Sequence, residues 1–84
     1  MATQVKHASE IYPGVIVDPR ISHGVPVLAG TRIPVQLILG HLAAGDSIED
    51  VTEAYDLTAE QVRAALGYAA DRVGAERVYA VPGA

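Results

Sequence analysis

The chain has 84 residues, a formal charge of −4 and no Cys, Phe or Trp; this length suits one small domain and leaves no room for a second. Without Cys there are no disulfides, thiolate zinc sites or cysteine nucleophiles, which fits a cytoplasmic protein, and no apolar run approaches the roughly 18 residues of a membrane-spanning helix. Half of the residues are apolar but 14 are Ala, so the core must come from Val, Ile and Leu and is thin enough that self-association or a protein partner is expected to support it.

Residues 1–13 show no hydrophobic periodicity and no apolar centre of a signal peptide; they read as a mobile N-terminal arm closed by Pro13-Gly14. Val15-Ile16-Val17 is a short strand ended by Asp18-Pro19. After the loop Arg20–Gly24, Pro26-Val27-Leu28 is a second strand, with Pro26 acceptable only at its start or on an edge. Such a two-stranded hairpin is unstable alone and must lie on the helices or pair with another chain.

Thr31-Arg32-Ile33-Pro34 leads into a first helix, with Pro34 suited to the first helical position. Val35, Ile38, Leu39 and Leu42 share one face, Leu37 lies off it, Gly40 suggests the close approach of another backbone, and Gly45 stops the helix. Ser47 caps a short second helix with Asp50 at its third position, and Ile48, Val51 and Tyr55 form its apolar side. Asp56-Leu57 makes the turn. Thr58 and Gln61 then have the form of a capping box, and Leu57 with Val62 that of a hydrophobic staple, opening a third helix. Val62, Ala65, Leu66, Ala69 and Val73 give that helix its buried face, ending near Gly74. The domain thus spans residues 14–74. The tail, 75–84, either frays or adds Val78, Tyr79 and Val81 as a strand to a sheet edge, here or on a partner.

The expected fold is mainly α: a three-helix, helix-turn-helix core preceded by a short two-stranded β-hairpin. In that layout Thr58, Gln61, Arg63 and Ala64 stand where a recognition helix meets base edges, and Gln61 and Arg63 have suitable chemistry for adenine, guanine or phosphate. Opposing this, the chain from Gly45 to Val62 carries six carboxylates and no cation; counterion release favours the opposite sign. Glu49 and Glu53 on the second helix are either a solvated face or a docking surface for a basic partner. No enzyme site emerges. His7, His23 and His41 are too scattered for a local metal motif, no cofactor loop is present, and Asp18 reads as a turn former before proline rather than as the acid of an Asp18–His23 pair.

The run Asp18-Pro19, Ile21, Gly24, Pro26-Val27, Gly30-Thr31-Arg32-Ile33-Pro34-Val35, followed by Leu42, Gly45, Ile48, Tyr55, Leu57-Thr58, Val62, Ala65-Leu66 and Tyr68-Ala69, resembles the family called domain of unknown function 433 over about residues 11–73. The resemblance implies a winged-helix-related fold and an antitoxin that binds and inhibits a PIN-like ribonuclease toxin and acts on its own operator DNA; the thin core adds the expectation of a homodimer. A PIN-like nuclease holds clustered carboxylates, so Arg32 would be either the residue inserted among them or a structural cap on carbonyls near the first helix. A DNA-binding regulator without a toxin, using the third helix, and a self-associating structural module remain as alternatives.

Overall fold

The computed structural model describes residues 7–77 and Ala80. A three-stranded antiparallel sheet, β1 (Ser9–Tyr12), β2 (Val15–Val17) and β3 (Val27–Leu28), in the order β1-β2-β3, precedes three helices, α1 (Val35–Ala43), α2 (Ile48–Tyr55) and α3 (Ala59–Ala75). The expected hairpin is the β2–β3 pair, with Val15 opposite Leu28 and Ile16 opposite Val27.

The sheet has one strand more than expected, because Ser9–Tyr12, read from sequence as part of a mobile arm, pairs with β2. Three of its four residues are exposed, so the segment carries no strand periodicity of its own; pairing with β2 makes it a strand. Tyr12 anchors it, with its ring edge-on to Tyr68 at 6.1 Å between centroids and its hydroxyl over Gly67, where a Cβ would come within 2.5 Å of it. Gly14 turns the chain at φ +86°, and a Cβ there would stand 3.0 Å from that of Ala64, so the β1–β2 turn rests directly on α3.

Side chains from all three layers meet in one core: Val15 and Leu28 from the sheet, Val35 and Ile38 from α1, Val51 from α2, and Leu57, Val62 and Ala65 from the entry and first half of α3. Leu39, Leu42, Ile48 and Tyr55 pack half-buried at its margin. The expected buried face of α3 ends early: Leu66 is 40% and Val73 67% exposed, and every residue from Ala70 to Arg77 is exposed. Pro34 also differs by one position. It is the N-cap at ψ 136°, the helix starting at Val35, since the Val35 N–H donates to the Pro26 carbonyl (3.0 Å) and holds Pro34 extended against β3.

The helix ends follow the chemistry of their residues. α1 closes as a Schellman motif, the Asp46 N–H donating to the His41 carbonyl (3.1 Å) around Gly45 at φ +104°. The same motif closes α2, with the Leu57 N–H on the Thr52 carbonyl (2.9 Å), but its left-handed position is held by Asp56 at φ 54°. Both expected N-caps are present as full capping boxes, Ser47 with Asp50 and Thr58 with Gln61.

Candidate partner-binding surface

The loop between β3 and α1, Ala29–Pro34, is built to hold one side chain outward. The Thr31 hydroxyl donates to the Leu28 carbonyl (2.8 Å) and accepts from the Ile33 N–H (3.0 Å). The Thr31 N–H donates to the Leu28 carbonyl and the Leu28 N–H to that of Ile33, both at 3.0 Å. Gly30 supplies φ +78°, and the Ser22 hydroxyl reaches across to the Arg32 carbonyl (3.1 Å). Every polar group of this loop that bonds does so to fix its backbone; the Arg32 side chain is exposed and has no hydrogen bond or ion pair among the described residues. The guanidinium therefore does not cap carbonyls at the entry to α1, as one expectation had it.

Glu49 and Glu53 stand exposed one turn apart on α2, a like-charge spacing that mildly destabilises an isolated helix. Asp50 beside them is committed to its cap: its carboxylate accepts the Ser47 N–H (3.1 Å), and the Ser47 backbone and hydroxyl hold its pKa below the ordinary carboxylate range.

Thr58, Gln61, Arg63 and Ala64, the residues expected to face DNA, all border one cleft of about 500 Å3 between α3 and the β1–β2 turn. The cleft unites them, but they differ in freedom. The Gln61 Oε1 accepts the Thr58 N–H (2.8 Å), so its carboxamide is occupied by the cap, and Ala64 is half-buried beside Gly14. Arg63 is exposed. The partner-binding expectations at Val78, Tyr79 and Val81 lie outside the described residues.

Two polar clusters were not foreseen. Asp18 does not pair with His23; buried at the end of β2, its carboxylate accepts the Arg20 N–H (2.9 Å), Nε (3.0 Å) and Nη2 (2.9 Å), and these bonds lower its pKa to about 2. His41, expected to be a surface or packing residue, links the α1–α2 turn to the end of α2 through Nδ1 to Asp46 Oδ2 (2.8 Å) and Nε2 to the Tyr55 hydroxyl (2.7 Å). Because the carboxylate only accepts, Nδ1 donates to it, and in the neutral ring Nε2 accepts from the Tyr55 O–H. The 14-residue separation of His41 and Tyr55 left no local signal for this bridge. Among the described residues no group of three or more His, Asp or Glu side chains is arranged to hold a metal ion, and no helix is long and apolar enough to cross a membrane.

Comparison with known proteins fits this framework. The chain is 45% identical over 56 residues to "Uncharacterized protein y4eO" of Sinorhizobium fredii (strain NBRC 101917 / NGR234), a match spanning 66% of this chain and 25% of that protein. It is 40% identical over 52 residues to "Putative antitoxin VapB45" of Mycobacterium tuberculosis (strain ATCC 25618 / H37Rv), spanning 62% of this chain and 22% of that one. The crystal structure of Rv2018 from Mycobacterium tuberculosis superposes with a TM-score of 0.57 at 40% identity, covering 62% of this chain and 24% of that chain. The matched region is thus about a quarter of the length of these relatives. The model of the family described as "Protein of unknown function (DUF433)" matches residues 15–69, from β2 through the packed half of α3, and the chain belongs to that family.

Proposed function

We propose that this domain is the toxin-binding part of an antitoxin and is not an enzyme, its partner being a PIN-like ribonuclease of the kind the family resemblance implies. The observation that carries the reading is the 40% identity, across 62% of this chain, to a protein named as an antitoxin. The surface supports it. A guanidinium held out on a braced loop suits insertion among metal-binding carboxylates, where a planar cation forms paired charge-assisted hydrogen bonds and takes the place of the metal. The exposed Glu49 and Glu53 add an acidic face for basic residues at the rim.

The test is co-expression with the product of the neighbouring gene, which this reading requires to be a PIN-like nuclease. The two proteins should co-purify and the pair should restore the growth that the nuclease alone arrests, with Arg32→Ala weakening the complex about 30-fold, the effect of losing a buried interfacial hot spot. Failure to co-purify, with a nuclease that is harmless alone, removes the reading. A second reading, binding to operator DNA through α3, is favoured by the exposed Thr58 and Arg63 at the start of that helix. It requires Arg63→Ala to weaken a gel shift on the upstream DNA; an unchanged shift excludes α3 as the reader.

A further inference from the structure

Between the start of α1 and the middle of α3 lies a pocket of about 280 Å3, lined by Val25, Pro26, Pro34, Val35, Leu39 and Tyr68 together with Gln36. Its walls are set by the backbone. The Val35 N–H donates to the Pro26 carbonyl (3.0 Å) and Pro34 bridges to Val27, so the two prolines are fixed against each other. Val25 follows a left-handed turn, with Ser22 at φ 48°, His23 at 58° and Gly24 at 81°, closed by the Gly24 N–H on the Ile21 carbonyl (2.9 Å) and the Val25 N–H on that of Ser22 (3.3 Å). Two consecutive non-glycine residues hold this conformation only where their surroundings impose it. The Ser22 hydroxyl donates to the Arg32 carbonyl (3.1 Å), so the turn that leads to Val25 and the loop that carries Arg32 form one unit. Val25 itself is left 43% exposed.

The charge around this pocket is opposite to that of the chain. From Pro19 to Gly45 there is no carboxylate, and the ionisable side chains are Arg20, His23, Arg32 and His41, in a chain whose formal charge is −4. The preceding Asp18 is buried and spent on the Arg20 Nε and Nη2, and the Arg20 side chain remains 67% exposed. On α3, Asp71 and Arg72 both stand one turn beyond Tyr68 and offset each other. An apolar centre beside exposed cations has the anatomy of an interface anchor. The volume lies just under the roughly 300 Å3 at which small-molecule pockets begin, and suits one side chain better than a free ligand. A platform for nucleic-acid bases would present several aromatic rings; here Val, Pro and Leu make up the walls beside a single Tyr.

We propose that this pocket takes one apolar side chain of the partner protein, with carboxylates next to that residue pairing with Arg32 and Arg20. The identity of that protein rests on the toxin-binding reading; the chemistry of its segment, an apolar residue flanked by acids, rests on the pocket and its charge. The prolines and the tied loops leave little to order on binding, which favours the contact.

Amide NMR of the whole chain tests this, with acetyl-Glu-Leu-Leu-Glu-amide as the probe and acetyl-Lys-Leu-Leu-Lys-amide as the control of opposite charge. The acidic peptide should shift the Val25, Arg32, Leu39 and Tyr68 amides saturably, and the basic one should not. Val25→Glu, with circular dichroism as the check on folding, should weaken the acidic peptide about tenfold. Leu37→Ser, at a position 41% exposed but outside the pocket, should leave it unchanged. In co-expression, Val25→Glu should weaken the complex with the nuclease as well. No shift at these residues, equal binding of the basic peptide, or binding indifferent to Val25→Glu would each overturn the proposal. So would the same shifts produced by protein concentration alone, which puts a second copy in the pocket, or tighter binding there of oligothymidylate, which makes it a nucleic-acid site. A peptide that binds while the neighbouring gene product does not would keep the pocket and remove the toxin-binding reading. A complex weakened by Arg32→Ala and untouched by Val25→Glu would keep the reading and remove the pocket.

Discussion

Asp18 and Asp56 show how one residue type does opposite work in this chain. The Asp18 carboxylate accepts three hydrogen bonds from Arg20 and has a pKa of about 2 against an ordinary 3.8. A carboxylate with a depressed folded pKa contributes stability that is fully present above about 3.8 and is lost as the pH falls toward 2. Urea unfolding from pH 5 down to pH 2 should therefore show a falling midpoint in the native chain and a shallower fall in Asp18→Asn. Asp56 bears the left-handed conformation that closes α2, a role that glycine fills without a steric penalty at Gly45. Asp56→Gly should raise stability by about 1 kcal/mol, seen as a higher thermal midpoint. The turn role of Asp18 was legible from the proline after it. Its ion pair was not, because only the bend at Asp18–Ile21 brings the Arg20 Nε and Nη2 onto one carboxylate.

At the scale of elements, caps and turns are the features that the sequence announced, because their chemistry is complete within four residues. Ser47 and Thr58 cap α2 and α3 as their spacing to Asp50 and Gln61 required. Thr58→Ala should cost about 1 kcal/mol, measured by denaturant unfolding at constant m. Two glycines with the same helical appearance separate once their neighbours are known. A Cβ on Gly40 meets nothing within 4 Å, whereas one on Gly67 meets the Tyr12 hydroxyl and ring. Among the described residues, the backbone that Gly40 led one to expect is not there. Gly40→Ala should stabilise the chain by about 1 kcal/mol through helix propensity alone, and Gly67→Ala should fall short of that gain because Tyr12 must shift. The pair of melting curves separates propensity from packing. β1 was illegible for the complementary reason: a strand exposed on most of its positions owes its existence to the neighbour it pairs with, and that pairing is non-local.

For the whole molecule, eight side chains from six segments of chain meet in one core, and no segment closes without the others. Ile38→Ala should cost about 2–5 kcal/mol, enough in a domain this small to unfold a large fraction at 37 °C; loss of the cooperative thermal transition is the readout. The candidate surface was only half visible from sequence. Arg32 drew attention through the family resemblance, as a cation suited to clustered nuclease carboxylates, but whether its guanidinium was spent on the loop or left outside depended on Thr31, Ser22 and Leu28 converging on the loop backbone. The spacing of Gln61 from Thr58 had already committed it to the cap, whereas the restriction of Ala64 by Gly14 comes from a distant segment. The sequence by itself determined the helices, their ends, the β2–β3 pair and the family, because propensity, capping and turn geometry act over a few residues. Tertiary structure alone decided the third strand, the exposed end of α3, the His41 bridge and the freedom of Arg32, because each depends on which distant segment arrives beside it, and burial and hydrogen bonding are settled only there.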